Sequence, residues 1–129
     1  MTKKSLHILV VEDNMLDAKV VSFTLKKIHE NASVDVVHSV TEAIAHVEQQ
    51  DCSFILLDYQ LPDGSGLDFL RYFRAESSFA DVPVLLMTSH IEPSIIENAF
   101  EAGISDYLCK EELDTDSLSG KMKKLKVES

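Results

Sequence analysis

Cysteine is scarce in this chain of 129 residues, which has only Cys52 and Cys109 and no CxxC spacing. Two isolated cysteines indicate neither a zinc site nor a disulfide framework, so we expect reduced, half-buried thiols. Long apolar runs are also missing, since none approaches the roughly 18 residues that a membrane span requires. We therefore expect a soluble protein that makes no membrane contact.

Positive charge is the second deficit, with 12 lysines and arginines against 22 aspartates and glutamates and a net charge of −10. Because nucleic-acid surfaces need clustered basic residues, this balance argues against direct nucleic-acid binding. The basic residues Lys121, Lys123, Lys124 and Lys126 lie near the chain's end, where they suit the negative end of a helix dipole. The residues after Met1 lack a secretory apolar region, so we expect a cytoplasmic location.

Short apolar runs alternate with helical patterns along the chain. The runs are Leu6 to Val11, Val34 to Val37, Phe54 to Leu57, Val84 to Met87 and Tyr107 to Cys109. Apolar residues at spacings of three and four form helical stripes at Ala18, Val21, Leu25 and Ile28; at Val40, Ile44 and Val47; at Ile95, Ala99 and Ala102; and at Leu118, Met122 and Leu125. This alternation predicts one α/β domain with a parallel sheet covered by helices on both faces.

Charged and hydroxyl side chains follow four of these runs. Glu12 and Asp13 follow the first, Asp58 the third, Thr88 the fourth and Lys110 the fifth. Because ligands bind beyond the carboxyl ends of parallel strands, we expect these side chains to face one site. Carboxylates there would repel one another, raise at least one pKa and suit Mg²⁺ or Mn²⁺. Alternatively, Asp13 or Asn14 is simply a helix N-cap.

Five sequence motifs together resemble the receiver domain of bacterial two-component response regulators. They are Val10-Val11-Glu12-Asp13-Asn14, Leu56-Leu57-Asp58, Leu61-Pro62-Asp63-Gly64-Ser65-Gly66, Val82-Pro83-Val84 leading to Thr88-Ser89, and Ala102-Gly103-Ile104-Ser105-Asp106-Tyr107-Leu108 followed by Lys110. The resemblance implies a flavodoxin-like doubly wound (βα)5 fold with a five-stranded parallel sheet of order 2-1-3-4-5. It implies that residues 1–129 form a single receiver domain, either alone or as part of a longer protein.

The resemblance also implies a phosphoryl-accepting function. Asp58 would take a phosphoryl group from a sensor histidine kinase or a phosphotransfer protein, with Mg²⁺ or Mn²⁺ as the cofactor. Asp13, Asp58 and the backbone carbonyl of Gln60 would bind the metal, and Glu12 would bind it through water. The chain would be a signalling switch and not a metabolic enzyme, catalysing only its own phosphorylation and dephosphorylation.

The remaining implied roles concern the switch. Thr88 and Lys110 would bind phosphoryl oxygens, and Tyr107 would turn inward when Thr88 moves. Gln60 and His90 would tune the lifetime of the phosphoryl group. The surface of helix 4, strand 5 and helix 5 would then contact a downstream protein or a second copy of the chain.

One departure from the family pattern concerns the residue after Lys110, where the usual proline, often in a cis bond, is replaced by Glu111. A non-proline cis bond costs about 3 kcal/mol, so the bond is trans or the loop is held differently. An alternative function is also open: a receiver-like module that binds proteins without being phosphorylated.

Overall fold

The computed structural model describes residues 6–89 and 91–127. The strands are β1 His7–Val11, β2 Ser33–Val37, β3 Phe54–Asp58, β4 Val84–Thr88 and β5 Asp106–Cys109. The α-helices are α1 Met15–Ile28, α2 Val40–Gln49, α3 Gly66–Ala75, α4 Pro93–Ala102 and α5 Thr115–Lys124. Short 3-10 turns at Ser77–Phe79 and Lys110–Glu112 and a small hairpin of Gln60–Leu61 with Gly64–Ser65 are the other regular elements of this described part.

The five strands form one parallel sheet in the order β2-β1-β3-β4-β5. The predicted flavodoxin-like fold and strand order are therefore confirmed. Strand β1 pairs with both β2 and β3, and Val11 lies beside Leu57 in the register. Asp58, the last residue of β3, and the residues that follow β1 consequently meet at one edge of the sheet.

The central strands are buried on both faces because their successive side chains enter two separate cores. One core packs α2, α3 and α4 on the sheet through residues such as Leu9, Leu57 and Phe73. The other packs α1 and α5 through residues such as Val10 and Leu118. Burial on both faces explains why these strands are continuous apolar runs and do not alternate. Within the described residues, no helix is long and apolar enough to cross a membrane.

Helix ends mostly match the sequence signals. Asn14 is the N-cap of α1, with its Oδ1 accepting a hydrogen bond from the Asp17 amide at 2.9 Å. Its N-cap interpretation is thus confirmed. Gly103 ends α4 in the left-handed region at φ 114°, where a Cβ would also come within 2.8 Å of the Arg74 side chain. No cis peptide bond is found in the described residues, so the Lys110–Glu111 bond is trans.

A short hairpin follows β3, pairing Gln60–Leu61 with Gly64–Ser65 in antiparallel register. The local sequence did not predict this hairpin. A capping box follows it at the start of α3, where the Ser65 amide donates to the Asp68 carboxylate at 2.9 Å. The hairpin gives the loop after the predicted phosphoacceptor a defined shape.

Candidate functional site

An open cleft of about 780 Å³ lies at the carboxyl end of the sheet. Residues that follow β1, β3, β4 and β5 line it, together with the first turn of α1 and the hairpin. Its polar lining comprises Glu12, Asp13, Asn14, Asp17, Asp58, Gln60, Ser65, Thr88, Ser89 and Lys110. Six predicted site residues, Glu12, Asp13, Asp58, Gln60, Thr88 and Lys110, thus surround one cavity.

The Lys110 ammonium is the centre of the charged groups. Its Nζ lies 2.6 Å from Glu12 Oε1, 3.2 Å from Asp58 Oδ2 and 3.3 Å from Asp17 Oδ2. These contacts raise the pKa of Lys110 although burial alone would lower it, with the Glu12 hydrogen bond and the Asp58 charge the main causes of the rise. The lysine therefore stays charged beside the predicted phosphoacceptor.

Glu12 is buried beneath this cluster, with its side chain 1% exposed. Its pKa is raised to about 7, chiefly by burial and then by the neighbouring Asp58, while Lys110 and the Asn14 amide act in the opposite direction. The sequence predicted such a shift from the repulsion of carboxylates, but burial is the larger cause. A carboxylate that one lysine does not fully compensate favours an additional cation.

Asp13 lies on the exposed rim of the cleft. Among residues 6–89 and 91–127, no three histidine, cysteine, aspartate or glutamate side chains are arranged as a metal-binding group. Mg²⁺ commonly uses only one or two carboxylates together with water and other oxygens. The hard oxygens of Asp13 and Asp58 therefore still fit a magnesium ion.

The other predicted residues have different surroundings. Thr88 is buried, with 4% exposure, and ends β4 at the cleft wall. Gln60 is exposed on the hairpin at the cleft's edge, which suits a residue near an attacking water molecule. His90 lies outside the described residues, so its predicted role in phosphoryl lifetime stays a prediction.

A residue that the sequence did not indicate anchors the hairpin. The Asp63 carboxylate accepts hydrogen bonds from the Val40 amide at 2.8 Å and from the Thr41 amide and hydroxyl at 2.9 and 2.7 Å. These three bonds lower the pKa of Asp63. They fix the loop that follows Asp58 to the start of α2.

Asp17 is the second residue that sequence reasoning missed. It lies in the first turn of α1, where an acidic residue has an ordinary role as a partner of the helix dipole. The sequence around Asp17 gave no further signal, because an acid is expected at this position of any helix. The contact with Lys110 depends on β5 and was not visible in the sequence.

Tyr107 lies half-buried on β5, away from the cleft lining. Its ring contacts the Phe100 ring edge-on at a centroid distance of 6.2 Å, and Lys121 Nζ lies 5.6 Å from its centre. Tyr107 therefore joins α4, β5 and α5 at one surface. Phe100 is 46% exposed at this surface, and Ile91, two residues before α4, is 44% exposed.

Helix α1 has large exposed apolar side chains beside the cleft. We call them the α1 apolar patch: Met15, Leu16, Val20 and Phe23, exposed by 68, 71, 47 and 64%. The patch begins one residue after Asn14, which lines the cleft. Clustered exposed apolar side chains of this kind are a candidate interaction surface.

Comparison with known proteins agrees with this geometry. The chain matches the model of the response regulator receiver domain over residues 8–123. It is 34% identical to a two-component response regulator of Oryza sativa subsp. japonica, covering 81% of this chain and 85% of that protein.

Solved structures are also similar. The receiver domain of a sensor histidine kinase from Pseudomonas aeruginosa PAO1 has a TM-score of 0.83, 27% identity, and coverage of 95% of this chain and 98% of that chain. That structure has a magnesium ion coordinated in its active-site cleft. The chemotaxis protein CheY4 of Vibrio cholerae shares the fold, with a TM-score of 0.86 and 20% identity over 95% of this chain and 99% of that one.

Proposed function

The chain belongs to the response regulator receiver domain family, and we propose that within it the chain accepts a phosphoryl group on Asp58. Receiver domains are signalling modules of two-component systems and not metabolic enzymes. The observation that supports the proposal best is the convergence of Glu12, Asp58 and Lys110 in one open cleft.

The proposed reaction starts from the side chain of Asp58, which is 11% exposed and faces the cleft. A carboxylate oxygen attacks the phosphorus of a phosphohistidine; the new O–P bond forms and the donor's P–N bond breaks. The products are an aspartyl phosphate and a free histidine. Lys110 stabilises the charge of the transferred group, and the Thr88 hydroxyl donates to a phosphoryl oxygen.

A divalent metal is part of the proposal. Asp13, Asp58 and the backbone carbonyl of Gln60 would hold Mg²⁺ or Mn²⁺, with Glu12 acting through water. When bound, the ion supplies positive charge that offsets the carboxylates and the phosphoryl oxygens. The raised pKa of buried Glu12 supports this assignment because one lysine leaves the cluster with uncompensated negative charge.

The phosphoryl donor is proposed to be a sensor histidine kinase or a phosphotransfer protein. A protein that presents a phosphohistidine to Asp58 must cover the cleft mouth and contact its surroundings. The α1 apolar patch adjoins that mouth and offers the exposed apolar area that such a contact uses. This placement supports a protein donor.

Hydrolysis would end the signal when water attacks the phosphorus and releases inorganic phosphate. Gln60 and His90 would set how fast this occurs. Meanwhile, phosphorylation adds roughly −1.5 to −2 charge, which draws Thr88 and Lys110 toward β3. Movement of Thr88 makes room for Tyr107 to turn inward, altering the surface of α4, β5 and α5 that a downstream protein or second copy would bind.

The test is the intact mass of the protein after incubation with acetyl phosphate, with and without Mg²⁺. We expect a Mg²⁺-dependent gain of one phosphoryl group in the native chain and none in Asp58→Asn, because an amide cannot form the acyl phosphate. Asp116→Asn is a matched control that should keep the gain, since it makes the same chemical change at an exposed acid in the first turn of α5.

A gain that persists in Asp58→Asn would place the phosphoryl group elsewhere and contradict the assignment. No gain in the native chain, repeated with a phosphorylated histidine phosphotransfer protein as donor, would favour the alternative of a protein-binding module that is not phosphorylated.

A further inference from the structure

Asp17 belongs to the charged cluster, yet the proposed reaction gives it no task. We propose that it is a positioning residue that holds Lys110 in the resting state and thereby slows phosphoryl uptake. The inference rests on the proposed function, because it concerns the rate at which the same cleft is phosphorylated.

The contact joins two distant parts of the chain. Lys110 Nζ is 3.3 Å from Asp17 Oδ2 on α1, almost as close as the 3.2 Å to Asp58 Oδ2 on β3. The Asp17 amide donates to Asn14 Oδ1 at 2.9 Å, so the backbone from which the carboxylate extends is fixed by the helix cap. An interaction with the dipole of α1 alone does not require a contact between Asp17 and Lys110.

The three carboxylates differ in burial. Side-chain exposure is 1% for Glu12, 11% for Asp58 and 46% for Asp17. Water can therefore solvate Asp17 when its lysine contact is lost, whereas Glu12 would be left as a buried, uncompensated charge. The Asp17 contact is the one that costs least to break.

A phosphoryl group on Asp58 changes the competition for Lys110. In the resting state the ammonium donates to Asp58 and Asp17 and forms an ion pair with Glu12. A phosphoryl group brings roughly −1.5 to −2 charge and three acceptor oxygens to the neighbouring Asp58. Lys110 therefore exchanges Asp17, its most exposed partner, for a phosphoryl oxygen.

A contact made only in the resting state has a specific kinetic effect. It stabilises the starting state of uptake but is absent from the transition state, so it raises the barrier. It is also absent from the phosphorylated state from which hydrolysis starts, so hydrolysis is unaffected. A partly exposed ion pair of this kind corresponds to a rate change of roughly two- to fivefold.

The experiment measures both rates by intact mass, at saturating Mg²⁺, with acetyl phosphate as donor and after its removal. We expect Asp17→Asn to raise the uptake rate about two- to fivefold and leave the hydrolysis rate unchanged. Asp116→Asn is the matched control: Asp116 is also an exposed acid in the first turn of a helix, α5, and the substitution makes the same charge change. It should alter neither rate.

A second comparison separates lysine positioning from general repulsion of the anionic donor. In a Lys110→Ala background, with longer incubation, Asp17→Asn should no longer accelerate uptake. The same acceleration in that background would show repulsion and overturn the proposal, as would equal uptake by Asp17→Asn and the native chain. Absence of uptake in the native chain would instead contradict the proposed function itself.

Discussion

The two ends of β5 combine ammonium and carboxylate groups in opposite proportions. After its carboxyl end, Lys110 contacts three carboxylates within 3.3 Å. At its amino end, the buried carboxylate of Asp106 lies 3.1 Å from Lys121 Nζ and 3.5 Å from Lys124 Nζ. One cluster has a surplus of negative charge and the other a surplus of positive charge.

The pKa values differ in the same sense. Burial would raise the pKa of Asp106, but the Tyr107 amide and the two lysines lower it below its ordinary value. At the other end of the strand, the pKa of Glu12 rises to about 7 because burial and Asp58 outweigh the single lysine. Both ends thus combine buried carboxylates with lysines. The negative charge of Asp106 is compensated by two lysines, whereas one lysine does not compensate the negative charge around Glu12.

The difference separates a structural cluster from a functional one. The Asp106 carboxylate forms ion pairs with two lysines of α5 and so connects β5 to that helix. Its negative charge is already compensated and does not favour a further cation. The Glu12, Asp58 and Lys110 cluster faces an open cleft and retains negative charge, which suits the proposed metal ion. We expect substitutions at the two ends to affect different measurements.

The largest expected effect is on the rate of phosphoryl uptake, and it comes from replacing one lysine at each end of β5. Lys110→Ala should slow phosphoryl uptake by about 10- to 100-fold, because it removes a positive group aimed at the developing phosphoryl charge. Lys121→Ala makes the same chemical change at the other end of β5 and should leave the uptake rate within about twofold, as expected for a group remote from the reaction. The measurement is the rate of mass gain with acetyl phosphate. Equal slowing in both variants would break the comparison.

The next prediction concerns pH and the metal-free protein. Since the pKa of Glu12 is about 7 in the folded chain against 4.5 ordinarily, the folded state binds more protons between these values. The contribution of protonated Glu12 to the free energy of unfolding is therefore fully present below pH 4.5 and lost as pH rises through 7. The free energy of unfolding should fall over this window by up to roughly 3 kcal/mol.

Urea unfolding at a series of pH values, with a chelator present, measures this change. Glu12→Gln should remove most of the decrease because the amide does not titrate. Asp106→Asn is the control and should retain it. An unchanged slope in Glu12→Gln would show that another group is responsible.

The fold was readily predicted because its strands and helices have strong local patterns. Apolar runs fixed the five strands to within a residue or two, and residues such as Val21 and Leu25 form the buried stripe expected on α1. The sheet order came from the family resemblance, since local patterns do not specify which strands are neighbours. Gly103 ends α4 at a positive φ, and glycine is the residue type that most often marks a helix end of this kind in a sequence.

The site was predictable only in part. Glu12 and Lys110 follow strands and Asp58 ends one, so the direction of parallel strands already brings them to one edge. Asp17 and Asp63 act through partners 93 and 22 to 23 residues away, which depend on how α1 and α2 lie against the sheet. No local pattern distinguishes these two acids from ordinary surface residues.

The smallest expected effect concerns stability at the amino end of β5. Asp106→Asn should lower the free energy of unfolding by about 1–3 kcal/mol at neutral pH, because it removes a buried charge that two lysines compensate. Uptake of the phosphoryl group should stay normal. The lowered pKa of Asp106 means that the native chain keeps this contribution above pH 3.8 and loses it as pH falls further, opposite in direction to Glu12. Urea unfolding and the uptake assay on the same variant decide the matter: slower uptake with unchanged stability would show that the two ends of β5 do not divide structure from function.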